Sequence, residues 1–144
     1  MIVLDANILV RAFLGRRVRQ ILDAYGPLGA QFRAPEVVFE DAEKYAVMIL
    51  EKRGGSITTV PGTLSYLRRA IEPVTSDLYG SFEEEARRRL RRRHEDDWPI
   101  LASALALKCD IWTEDADFFG TGVATWTTNR VEILLKKQAS PDEP

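Results

Sequence analysis

Short apolar runs alternate with longer segments of helical periodicity along this chain. Ile2–Leu4 is β-branched and aliphatic and stops at Asp5, which predicts a first strand. From Asn7 to Gly26 apolar residues recur at helical spacing, Val18, Ile21, Leu22 and Tyr25 among them, and Gly26 with Pro27 closes the run. A short strand is expected within 30–35. A strong helix follows, with Pro35 at its start, Val38, Ala42, Tyr45 and Ile49 on one stripe, and Gly54 and Gly55 to stop it. A short helix around 62–70 and a strand at 71–75 come next. Residues 81–93 read as a charged helix with a thin apolar stripe of Phe82, Ala86 and Leu90. Residues 96–108 read as a helix so apolar that it must run through the core. Strands at 109–113 and 123–127 and a closing helix at 128–137 complete the pattern.

Strands alternating with helices predict an α/β sandwich around a mostly parallel central sheet flanked by helices. In such sheets ligands bind beyond the carboxyl ends of the strands. No internal repeat or long linker divides the chain, so residues 1–137 are expected to form a single domain and 138–144 a frayed polar tail.

Composition narrows the class. A chain of 144 residues with 45% hydrophobic and 29% charged content has the make-up of one globular domain. No apolar stretch approaches the roughly 20 residues that span a bilayer, and the first residues lack the basic region of a signal peptide. A cytoplasmic protein with no membrane partner is expected. The single cysteine, Cys109, stands between apolar residues and reads as a small buried hydrophobe rather than a reactive thiol. A net charge of −2 argues against a surface that is basic all over. It leaves room for an enzyme of nucleic acids, because an acidic metal site offsets basic patches in the sum.

The acids change the picture most. Asp5 closes the first predicted strand, and Asp115 stands just beyond a later one. Two acids closing two parallel strands would face each other across one edge of the sheet. Asp97 opens the apolar helix, where the core meets that edge. For Asp5 and Asp97, helix capping is the simpler reading of each taken singly. A fourth acid is expected on the helix after Pro35, where Glu40, Asp41 and Glu43 compete. Glu40 projects away from the apolar stripe, Asp41 and Glu43 flank it on opposite sides, and Asp41 lies nearer the helix start and best suits the rim of the core. Carboxylates crowded into one cleft take up protons unless cations neutralise them. Hard cations with oxygen ligands suit such a cluster, and Mg²⁺ is held by one or two carboxylates together with water and substrate phosphates. His94 is the only histidine and Cys109 the only cysteine, too few for a zinc site or for a Ser-His-Asp or Cys-His triad. The acids therefore point to Mg²⁺ or Mn²⁺ and phosphate chemistry.

Residues 1–10 with Asp5, 96–107 with Asp97 and 112–129 with Asp115 together resemble the PIN-domain ribonucleases, the VapC-type toxins among them. The match runs through nearly the whole chain in order: D-x-N after a strand, an acid on the helix after the second strand, D-x-P-x-L-A, then T-x-D-x-D-F. The resemblance implies a PIN-like three-layer sandwich, a quartet of acids and metal-dependent hydrolysis of RNA phosphodiester bonds. It also implies a possible toxin role with an antitoxin protein as partner, and a homodimer. Asp5, Asp97 and Asp115 match three acids of the family. The fourth is usually Glu, and counting from Pro35 lands on Asp41, a departure that shortens the side chain by one methylene. On this reading Asp5 and Asp97 are the principal metal ligands, Asp115 completes the site, Asp41 orients water and Asp117 is an outer-shell partner. Asn7 is placed to donate a hydrogen bond to a carboxylate or phosphate, a turn or cap role being the alternative.

Six arginines lie between 87 and 93. Glu83, Glu84 and Glu85 precede Arg87, Arg88 and Arg89 by four residues, the favourable order for ion pairs on a helix. Arg91, Arg92 and Arg93 lack such partners upstream and are the candidates for RNA phosphate contacts. Trp98, Trp112 and Trp126 read as core. A receiver-like phosphotransfer domain also gathers acids at strand ends, but it wants a Lys after a late strand, and neither 109–115 nor 123–129 supplies one. A catalytically weak or inactive PIN-like module that binds RNA or protein remains the alternative, kept open by Asp in place of Glu at position 41.

Overall fold

Five short strands, all parallel, form the centre of the computed structural model, which describes residues 1–91 and 95–139. They are β1 (Ile2–Leu4), β2 (Phe32–Pro35), β3 (Glu72–Val74), β4 (Asp110–Trp112) and β5 (Thr125–Trp126), in the spatial order β3-β2-β1-β4-β5. All of β1, with Ile111 and Trp112 of β4, has no exposed surface. A parallel strand covered on both faces is apolar throughout rather than alternating, which is why Ile2–Leu4 reads as a continuous run.

The helices are α1 (Ala6–Leu14), α2 (Arg17–Tyr25), α3 (Val37–Lys52), α4 (Val60–Ala70), α5 (Ser76–Tyr79), α6 (Glu83–Arg89), α7 (Trp98–Leu107) and α8 (Val131–Ala139). α7 packs on β1, β2 and β4 and carries α5 and α6 against it. α1 packs on α2, α3 and α4, and α2 meets α8. The result is the expected α/β sandwich, with a wholly parallel sheet between helical layers. Ile100 to Ala104 of α7 are buried, as its composition demands. Helix α8 ends at Ala139, and the rest of the predicted frayed tail, 140–144, lies outside the described residues.

Three local expectations need correcting. Pro35 ends β2, and α3 begins at Val37. The core-facing stripe of α3 is Val38, Phe39, Ala42 and Ala46, while Tyr45 is 59% exposed. The charged helix 81–93 is broken: α5 and a 3₁₀ turn at Gly80–Phe82 precede α6, which spans only Glu83–Arg89. Tyr79, the last residue of α5, packs edge-on against Trp98, centroids 5.5 Å apart.

The tryptophans serve the framework. Trp112 is fully buried and its indole N–H donates to Thr128 Oγ1 at 3.1 Å, while Trp126 donates to Asp110 Oδ2 at 2.9 Å. Cys109 is half-buried, and burial pushes its thiol up to about 11. That is far from the depressed value of a reactive cysteine.

Candidate functional site

The order β3-β2-β1-β4-β5 reverses direction beside β1, so the crevice between β1 and β4 is the switch point of the sheet, where parallel α/β folds bind ligands. Leu4 and Trp112 are register partners at the ends of these two strands. The next residues leave the sheet side by side. The Asp5 amide donates to the Trp112 carbonyl at 3.0 Å, and the Thr113 hydroxyl donates to Asp5 Oδ2 at 2.6 Å. Asn7 Nδ2 donates to the same oxygen at 3.0 Å. The Thr113 oxygen in turn accepts the Asp115 N–H at 2.9 Å. One buried hydroxyl therefore ties the segments of two distant acids together.

Asp97 arrives on a third element. A 3₁₀ turn at Glu95–Asp97 leads into α7, and Pro99 in the first turn is tolerated because its missing N–H would have no partner there. Asp5 and Asp97 occupy the N-cap positions of α1 and α7, yet neither makes a side-chain capping bond. Asp5, Asn7, Asp97 and Asp115 instead line one cleft of about 310 Å³, with Ala6, Val10 and Tyr45.

The helix acid stands apart from the other three. Asp41 is exposed on α3 and does not line the cleft. Tyr45 does, and it follows Asp41 by four residues, about 40° around the helix. Glu40 and Glu43 point roughly 140–160° away from Tyr45. Asp41 is thus the acid on the cleft's side of α3, although the stripe that first singled it out was misplaced.

Electrostatics set Asp5 apart. It is 3% exposed, and burial holds its carboxyl above the ordinary 3.8. The Thr113 hydroxyl and the amides of Ala6 and Asn7 pull the other way, while the Asp115 charge raises it further. The remaining acids of the 114–117 run have structural employment. Glu114 accepts the Thr128 N–H at 2.7 Å and lies 3.8 Å from Arg11. Asp115 Oδ1 accepts the Asp117 N–H at 2.9 Å, which caps the 3₁₀ turn Ala116–Phe118.

Among the described residues, no three His, Cys, Asp or Glu side chains are grouped so as to hold a metal ion by themselves. The donor set of the cleft is nevertheless all oxygen, and Asn7 Oδ1 is buried with no hydrogen-bond partner. That suits a hard cation held by one or two carboxylates and bridging water. Two contributors escaped the hydrophobic pattern. Thr113 was hidden at a strand end, and its position two before Asp115 was the available signal. Tyr45 was assigned to the core because its spacing fits either flank of the stripe.

The arginine run divides as its charges suggest. Arg87 pairs with Glu83 at 2.8 Å, and Arg88 and Arg89 both reach Glu85, at 2.5 and 2.8 Å, with Arg89 also donating to the Thr121 carbonyl. The partner of Arg88 is Glu85 rather than Glu84. Arg91 is exposed beside Glu84, Arg87, Arg88 and Glu95 and does not line the acidic cleft. Arg92, Arg93 and His94 lie outside the described residues.

Comparison with known proteins follows the same lines. A chain of a toxin–antitoxin complex from Klebsiella pneumoniae superposes with a TM-score of 0.62 at 20% identity, over 89% of this chain and 98% of that one. At that identity the likeness speaks for the fold. No curated protein matches the chain. The family model for the PIN domain matches residues 3–136, a span that holds every acid of the cleft, and the chain belongs to the PIN-domain family.

Proposed function

We propose that this protein is a cytoplasmic ribonuclease dependent on Mg²⁺ or Mn²⁺, acting as the toxin of a toxin–antitoxin pair. The observation that carries the reading is the convergence of Asp5, Asp97 and Asp115, from three separate elements, on one cleft at the switch point of a parallel sheet. A buried carboxylate with a raised pKa beside a second acid is the electrostatic condition that a divalent cation relieves. Asp5 and Asp97 would hold the cation, with Asp115 completing the set. A bound cation supplies Lewis-acid polarisation of the phosphate and acidifies the attacking water. Thr113 and Asn7 fix the Asp5 carboxylate through Oδ2. Asp41 approaches from α3 as the group that orients water, and Asp117 braces Asp115 through its amide. An antitoxin protein is the expected partner, in keeping with the complex to which the similar fold belongs, and a homodimer the expected assembly.

A catalytically weak or inactive module that binds RNA or protein is the second reading. The exposed position of Asp41, outside the cleft lining, favours it. Incubation of the purified protein with a range of RNAs separates the two. Cleavage is expected with Mg²⁺ or Mn²⁺ and is expected to stop in EDTA. Cleavage that ignores EDTA, or none under any metal, would overturn the ribonuclease reading.

A further inference from the structure

The junction of α1 and α2 carries a second cleft, of about 300 Å³, with Leu14 and Val18 in its wall and four arginines around them: Arg11, Arg16, Arg17 and Arg53. Two of these guanidinium groups are balanced. Arg17 meets Glu132 at 2.5 Å, and Arg11 lies 3.8 Å from Glu114. Arg16 and Arg53 form no ion pair among the described residues, so four positive charges meet two negative ones, and neither carboxylate lines the cleft. The backbone adds potential of the same sign. The nine-residue α2 starts at Arg17, and its N-cap Arg16 provides no side-chain acceptor for the first-turn N–H groups. Positive charge gathered on one concave surface is stabilised by an anion.

Position says which anion. On α1, Asn7 and Val10 line the acidic cleft, while Arg11 and Leu14, each four residues further on, line the arginine cleft. The matched lining residues stand about one helical turn apart on α1, ~6 Å along its axis, while on α3 Tyr45 of the acidic cleft and Arg53 of the arginine cleft lie about 12 Å apart. Glu114 joins them on the other side: it is the chain neighbour of Asp115, and its carboxylate holds the amide of Thr128, a lining residue of the arginine cleft.

We propose that the arginine cleft binds a backbone phosphate of the same RNA strand whose scissile phosphodiester occupies the acidic cleft; this rests on the ribonuclease reading above. Planar guanidinium forks match phosphate oxygens two at a time. A peptide rich in carboxylates would satisfy the same forks. The acidic cleft, which shares α1 and α3 with the arginine cleft, favours the phosphodiester, because one substrate strand can span both.

The test follows binding of a short fluorescein-labelled single-stranded RNA of mixed sequence by anisotropy, in EDTA, so that the readout does not depend on cleavage. The variant R16A/R53A is expected to bind about tenfold more weakly, the effect of removing one charge-assisted hydrogen bond. Its plot of log affinity against log salt is expected to flatten by about 0.7 for each phosphate that the arginines no longer neutralise. R88A, which removes an arginine already paired with Glu85, keeps the wild-type affinity and slope. Arg16 and Arg53 are exposed, and unchanged melting by circular dichroism verifies that the double substitution leaves the fold intact. Three results overturn the proposal: unchanged affinity and slope in R16A/R53A, a wild type that binds no RNA, or a weakening confined to a glutamate-rich competitor peptide. The ribonuclease reading fails separately, by absence of metal-dependent cleavage in a wild type that still binds RNA through these arginines.

Discussion

Asp5 is a carboxylate that the fold keeps out of water and ties through Oδ2 to Thr113 and Asn7. Because burial raises its pKa above 3.8, the folded protein holds this proton more tightly than the unfolded chain does. Its contribution to stability is therefore fullest below pH ~3.8 and is lost as pH rises through the raised folded value. In Asp5→Asn the amide oxygen can take the bonds from Thr113 and Asn7 that Asp5 Oδ2 now accepts. In EDTA at pH 7 this variant is expected to melt above wild type, and the gain should vanish below pH ~3.8. Cleavage is expected to fall about 10²-fold or more, and undiminished activity would remove Asp5 from the site. Thr113 acts through Asp5 and Asp115 rather than on the substrate. Thr113→Val keeps the shape and deletes the hydroxyl, with an expected loss of about 10–100-fold in metal affinity or activity. Thr113→Ser should restore it, and should also return the pH–rate profile that Thr113→Val shifts to higher pH. The acids themselves were legible as strand-end and helix-start residues. Thr113 was not, because a threonine at the end of a strand is equally at home there for its β-branched shape.

Among the elements, α3 and α7 show what periodicity does and does not disclose. Val38 and Ala42 were placed correctly on the buried face of α3, but Tyr45 and Ala46 differ by one position, and the pattern chose the larger side chain. Packing chose the smaller one. Ala46 sits where α3 runs buried, and Tyr45 is turned out to the cleft. In α7 nearly every residue is apolar, so burial was plain from the sequence and orientation was not. The exception is Ser103, which is fully buried with its hydroxyl unpartnered among the described residues. A lone buried hydroxyl has lost water and gained nothing in return. Ser103→Ala also improves helix propensity and is expected to stabilise the protein by about 1 kcal/mol in urea unfolding. Destabilisation by a similar amount would mean that Ser103 has a partner, such as an internal water. The end of α6 at Arg89 was less visible, because the charges from Glu83 to Arg93 make one continuous helical pattern.

At the scale of the whole molecule, the site exists because of strand order. Residues 5 and 115 follow adjacent strands only because the chain returns past β1 after β3, and the long return carries Asp97 to the same edge at the head of α7. Alternation of strands and helices made the parallel sheet legible; the position of the switch point beside β1 was not, since no local residue encodes which strand the return will pair with. If a cation joins the three elements that carry these acids, as proposed above, its binding and the stability of the fold are coupled. A ligand at about 100 times its Kd adds about 2.7 kcal/mol to the native state. For a chain of this size, that corresponds to a rise of roughly 5–10 °C in Tm. Melting in EDTA and then in increasing Mn²⁺ is expected to show such a rise in the wild type and little or none in Asp5→Asn or Asp97→Asn. A flat wild-type titration would favour the inactive binding module. An equal rise in all three proteins would place the ion outside the acidic cleft and overturn the assignment of Asp5 and Asp97 as its ligands.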